Sequence, residues 1–143
     1  MISVFLDASV IIAGVYAETG ASSLILKLSQ EKKIKAYVTR LIVQEVIRNV
    51  KKKFPSDAVG KSLSMVAASN VIKISLAKET EITRLKHITH EKDIHVLAGA
   101  YKAKVDYLIT LDKKHLLSLK NKQFPFLLVS PGEFLAKFVR SRA

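Results

Sequence analysis

The chain has 143 residues, 49% of them hydrophobic, which is enough for one domain with a real core and argues against disorder. It has no cysteine, which excludes disulfides, thiolate metal sites and cysteine catalysis and fits a reducing compartment. A formal net charge of +12 points to a polyanionic partner: nucleic acid, an acidic membrane face or an acidic protein.

The first stretch, Ile2 to Leu6, is a short apolar run rich in β-branched and aromatic residues. That is the pattern of a strand buried on both faces, as in a parallel sheet. Asp7 ends it. Ala8 to Ala17 is uncharged and reads as a short helix, which Gly20 breaks. Ala21 to Gln30 carries Leu24, Ile25 and Leu28 on a helical stripe. Lys35 to Thr39 is the second strand. Arg40 to Lys53 is a helix with Ile42, Val43, Val46, Ile47 and Val50 on one face, ended by Phe54-Pro55. Ser56 offers an N-cap for a helix to about Ser69. Val71 to Leu76 is the third strand, and Ala77 to Ile88 a charged helix. His90 to Lys92 read as a polar turn, and Asp93 to Lys104 as a helix. Asp106 to Thr110 is the fourth strand, Lys113 to Leu119 a helix, and Phe126 to Ser130 the fifth strand. Pro131 opens a last helix, Gly132 to Arg140.

Strands alternating with helices imply an α/β fold: a three-layer α/β/α sandwich around a parallel sheet of about five strands, Rossmann-like, with right-handed crossovers. No repeat, low-complexity segment or linker divides the chain, so residues 1–143 read as a single domain. The N-terminus lacks a basic lead-in and Asp7 interrupts its apolar run, so no signal peptide is expected. No uncharged stretch approaches the roughly 18 residues that span a bilayer. The chain therefore reads as a soluble, cytoplasmic protein without a membrane partner. Its basic residues are scattered, with no basic tail, so a contact surface would be formed by the fold.

Ligands of open α/β sheets bind outside the carboxyl ends of the strands, which makes acids at those ends worth weighing. Asp7 follows the first strand; its plain reading is a helix N-cap. Asp112 follows the fourth strand after Thr110 and Leu111, and could equally cap the next helix. If the two strands are neighbours where chain order reverses, both acids meet in one crevice. Glu45 lies at the border of its helix's apolar stripe, where an exposed glutamate paired with Arg48 or Asn49 is the plain reading. Asp93 begins the buried face of its helix, and capping alone would explain it. His95 reads as pointing elsewhere, toward the surface. Glu18, Asp57, Glu79 and Glu81 fall in turns or charged faces, and Asp106 sits at the opposite edge from Asp112.

Taken together, four segments resemble the PIN-domain family of nucleases, which includes the VapC-type toxins. Leu6-Asp7-Ala8-Ser9 with Val10-Ile11-Ile12 is similar to the family's first motif, and Thr39 to Ile47 with Glu45 to the second. Asp93-Ile-His-Val-Leu-Ala-Gly-Ala100 resembles the third and Asp106-Tyr-Leu-Ile-Thr-Leu-Asp112 the fourth. The match covers almost the whole chain in order. Leu111 departs slightly, since relatives commonly carry a small or polar residue there. The resemblance implies an acidic, catalytic and metal-binding pocket of Asp7, Glu45, Asp93 and Asp112, with Ser9 and Thr110 as supporting hydroxyls. Nucleic-acid contacts are assigned to Arg40, Arg48, Lys113 and Lys114.

Clustered carboxylates repel one another unless a cation neutralises them. An all-oxygen set favours hard Mg²⁺ or Mn²⁺ over zinc. The implied activity is a metal-dependent endonuclease, a ribonuclease acting on single-stranded or structured RNA. Metal-activated water would attack phosphorus in line, releasing a 3′-hydroxyl and a 5′-phosphate. Relatives also imply an antitoxin partner and a homodimer. The alternative is a non-catalytic PIN-like module that binds RNA or protein. A haloacid-dehalogenase-type phosphatase needs an aspartate where Ser9 stands, and a receiver domain needs one where Ser75-Leu76 stand.

Overall fold

In the computed structural model, which describes residues 1–17, 19–89 and 93–142, the first strand lies at the centre of the sheet. β1 (Ser3–Leu6) pairs in parallel with β2 (Lys35–Thr39) on one side and β4 (Tyr107–Ile109) on the other. β3 (Ile72–Ile74) pairs with β2, and β5 (Leu127–Val129) with β4, giving the order β3-β2-β1-β4-β5. Val4, Phe5 and Leu6 are fully buried, as the apolar run requires. β3 is shorter than its apolar run because β2 offers it only Tyr37 to Thr39 as partners. Lys73 stands in the middle of this edge strand, a charge that discourages further pairing.

The helices are α1 (Ala8–Tyr16), α2 (Ala21–Gln30), α3 (Arg40–Lys53), α4 (Ala58–Ala68), α5 (Glu79–Leu85), α6 (Ile94–Ala103) and α7 (Pro131–Arg142). α1 packs on α2, α3 and α4, and α2 on α7; α5 packs on α6, which lies against β1, β2 and β4. Strand order runs one way through β1, β2 and β3, then reverses to β4. With right-handed crossovers, that reversal puts α5 and α6 on the face opposite α1 to α4 and completes three layers. Gly99 lets α6 settle on the sheet: a Cβ there would run into the Phe5 ring. No single helix among the described residues is long and apolar enough to cross a membrane.

Several local expectations are corrected. Lys113 to Leu119 is not a helix: residues 113–116 form turns, and Leu117–Leu119 a single 3₁₀ turn. The consecutive cations Lys113 and Lys114 at its start oppose the helix dipole, and the Leu117 N–H reaches back to the Asp112 carbonyl instead. Ser56 does not cap α4; the Pro55 carbonyl accepts from Ala58 N–H, and Asp57 takes the cap position without a side-chain bond. α5 covers only part of Ala77 to Ile88, because Lys86 and Ile88 donate three residues back and tighten its end. At α7, Ser130 and Glu133 exchange backbone–side-chain hydrogen bonds, a capping box ahead of Pro131. The polar turn read at His90 to Lys92, and Glu18, lie outside the described residues.

Candidate active site

β1 and β4 are the neighbours between which chain order reverses, so Asp7 and Asp112 leave the sheet side by side. They line one cleft of about 640 Å³ together with Ser9, Glu45 and Asp93. Ile12, Ala13, Asn49, Lys53 and His115 complete its wall.

Asp7 is buried and caps α1, its Oδ1 accepting from the Ala8 N–H at 2.8 Å. Its Oδ2 accepts from Thr110 Oγ1 at 2.7 Å and from Ser9 Oγ at 3.0 Å. Both hydroxyls are themselves oriented by backbone donors. Asp112 N–H donates to Thr110 Oγ1, and Leu111 N–H to Ser9 Oγ. The carboxylate is thereby aimed from α1 and from the segment after β4 at once and keeps lone-pair capacity for a further partner. Burial pushes the Asp7 carboxyl up, and the nearby Glu45 charge pushes it the same way. The Thr110, Ser9 and Ala8 hydrogen bonds oppose that rise.

Asp93 occupies the cap position of α6 but makes no side-chain capping bond, so capping does not account for it. Asp112 Oδ1 does accept from the His115 N–H at 2.9 Å, fixing the turn after β4. The tightest donor group among the described residues is Asp93, Asp112 and His115, whose ligand atoms lie within 4.8 Å of one another. His115 Nδ1 stands 3.5 Å from Asp112 Oδ2 and 3.9 Å from Asp93 Oδ2. An imidazole thus stands beside two of the carboxylates that the sequence reading grouped. Neighbouring carboxylates, one of them buried and raised by its neighbour, with an imidazole at the mouth, fit a divalent cation.

His95 corrects the sequence reading. Its Nε2 lies 3.7 Å from Glu45 Oε1, and its Nδ1 is buried without a hydrogen-bond partner among the described residues. α6 is covered around most of its circumference, with Ile94, Val96, Leu97, Ala98, Gly99 and Ala100 all buried, so little of it around His95 faces solvent. Of the basic residues proposed to touch nucleic acid, none lines the cleft. Arg40 lies beside Lys73 and Leu76, Arg48 sits among Gln44, Lys51 and Lys52, and Lys113 and Lys114 are exposed on the turn after Asp112. Among the described residues the cleft lysine is Lys53, on the same side of α3 as Glu45 and Asn49 at four-residue spacing. Phe54 stacks on Tyr16 with ring centroids 4.0 Å apart, which anchors the end of α3 next to Lys53.

The sequence profile of the PIN domain matches residues 3–114. No curated protein matches by sequence. Among solved structures, VapBC2 from Rickettsia felis, solved bound to a DNA fragment from the VapBC2 promoter, is similar with TM-score 0.68 and 14% identity over 90% of this chain and 98% of that one. PAE2754 from Pyrobaculum aerophilum is similar with TM-score 0.67 and 16% identity over 97% and 96% of the two chains. VapC20 from Mycobacterium tuberculosis, described as a sarcin-ricin loop cleaving toxin, gives TM-score 0.56 and 12% identity over 78% and 91%. At these identities the likeness is one of fold. The profile spans most of the chain, and this protein belongs to the PIN-domain family.

Proposed function

We propose that the protein is a divalent-metal-dependent endoribonuclease whose catalytic cleft is built by Asp7, Glu45, Asp93 and Asp112. The observation that carries this reading is their convergence. Four acids from four separate segments meet in one cleft of a chain with net charge +12. A basic protein that gathers four of its twelve acids at one point is organised for a polyanion outside and a cation inside.

Asp93 and Asp112, with Asp7 and Glu45 beside them, would hold the ion. Bound Mg²⁺ or Mn²⁺ would polarise the phosphodiester and lower the pKa of a water molecule. Ser9 and Thr110 fix the Asp7 carboxylate. His95 stands behind Glu45, its Nε2 3.7 Å from Glu45 Oε1. RNA is favoured over DNA because the VapC20 relative is described as cleaving the sarcin-ricin loop. The VapBC2 relative supports an antitoxin partner that would keep such an activity silent. A second copy of this chain is also proposed. Leu24 on α2 and Val139 on α7 are large exposed apolar residues on helices that pack together. We place the single domain in the cytoplasm, in keeping with its lack of cysteine.

The test is a panel of single-stranded and structured RNA and DNA, incubated with Mg²⁺ or Mn²⁺ and with EDTA. The expected result is RNA cleavage that EDTA abolishes. No cleavage, and no rise in melting temperature with Mn²⁺, would leave the non-catalytic binding module standing instead.

Lys53 gives a second expectation. A lysine at the rim of an acidic cleft is placed for a backbone phosphate next to the scissile one. Lys53→Ala is expected to raise KM several-fold with little change in kcat. It should also flatten the salt dependence of RNA binding by about 0.7 in the log–log slope, one single-strand phosphate contact. An unchanged slope would take Lys53 out of the substrate path.

A further inference from the structure

We infer that His115 is itself a ligand of the cation and makes the site selective for later first-row divalent ions over Mg²⁺. The inference rests on the nuclease reading and specifies the ion that reading requires. Its basis is position. His115 Nδ1 lies 3.5 Å from Asp112 Oδ2 and 3.9 Å from Asp93 Oδ2. Donors about 2.1 Å from a shared ion stand about 3 to 4.2 Å apart, so both spacings suit one coordination sphere. The imidazole is also held in place by its own backbone. The His115 N–H donates to Asp112 Oδ1, and its carbonyl accepts from Thr89 Oγ1 at 3.1 Å. Asp112 thus supplies one oxygen to the turn that carries His115 and presents the other beside the imidazole. The side chain is 40% exposed, which leaves open positions for water and a phosphate oxygen.

A plain ion pair with the two aspartates would produce the same closeness. It differs in what it predicts for metals. Mg²⁺ is hard and prefers oxygen, whereas imidazole suits later ions, with affinity rising from Mn²⁺ toward Co²⁺. If His115 only balances charge, removing it strengthens or weakens all divalent ions alike.

The experiment is a titration of the untagged full chain with Mg²⁺, Mn²⁺ and Co²⁺ by calorimetry, comparing wild type with His115→Ala. Both backbone bonds of residue 115 survive the change, and a thermal melt of the metal-free variant checks folding. Affinity for Co²⁺ is expected to fall on the order of tenfold or more, with Mn²⁺ intermediate and Mg²⁺ changed by less than about twofold. Pulsed electron paramagnetic resonance of the Mn²⁺ form should show nitrogen coupling that disappears in His115→Ala and persists in His95→Ala. Equal changes for all three ions, or nitrogen coupling that survives in His115→Ala, would overturn the assignment while leaving the metal nuclease intact. A wild-type chain that binds none of the ions would overturn both.

Discussion

An Asp7→Asn variant is expected to fold and to lose metal-dependent RNA cleavage by on the order of 10³-fold, the scale of removing a preorganised charged group from a reacting centre. The amide has nearly the same shape, and Ser9 and Thr110 remain oriented by the Leu111 and Asp112 N–H groups. What disappears is a buried negative charge at the back of the cleft. A second readout separates that loss from misfolding. In the native protein the Asp7 carboxyl is raised by burial and then by Glu45, so the folded chain holds this proton to higher pH than the unfolded chain does. Stability of the metal-free protein therefore falls as pH climbs from the ordinary carboxylate range through the raised value. Asn cannot titrate, so melting temperature measured in EDTA should lose that part of its pH slope. Mn²⁺ should raise the wild-type melting temperature more than that of the variant. Wild-type turnover in Asp7→Asn would remove Asp7 from the mechanism.

The second large effect concerns stability. Phe5→Ala is expected to cost about 3–5 kcal/mol, a large share of the roughly 5–15 kcal/mol that holds a typical domain together. Phe5 is fully buried at the middle of the central strand, with its ring directly beneath Gly99 of α6. Glycine has no side chain to fill the gap from the other side, so a void remains between sheet and helix. Chemical denaturation should show a lower midpoint with an unchanged slope. A loss below about 1 kcal/mol would mean that α6 can sink onto the sheet, a freedom a helix with Gly99 at its contact point is not expected to have.

The architecture was legible because a strand buried on both faces and a helix with one apolar stripe leave different periods in the chain. Lys35 to Thr39 and Arg40 to Lys53 match their elements to the residue. Asp7 and Asp112 could be paired because both follow apolar runs, and the sheet order makes those runs neighbours. Other parts of the cleft depended on geometry that periodicity does not carry. His115 stood in a segment read as a helix and turned out to lie on a turn held by Asp112. The aspartate-to-histidine spacing of three residues was the available signal. Asn49 and Lys53 were also readable, one and two helical turns beyond Glu45, once that acid was taken to face a cleft. The inward turn of His95 had no such signal, since α6 is covered around most of its circumference rather than along one stripe.

The central position of β1 also fixes when the cleft can exist as the chain is made. Asp7 leaves the ribosome well before the Thr110 hydroxyl that aims it, which lies 103 residues further on. Until β4 arrives, β1 has β2 on one side and an open edge on the other. A nascent chain therefore holds its first acid without the fourth, and a product terminated before Asp112 lacks a wall of the cleft. For an enzyme that would attack RNA this ordering is protective: the nascent polypeptide stays incompetent until Thr110 and Asp112 have emerged and β4 has joined β1.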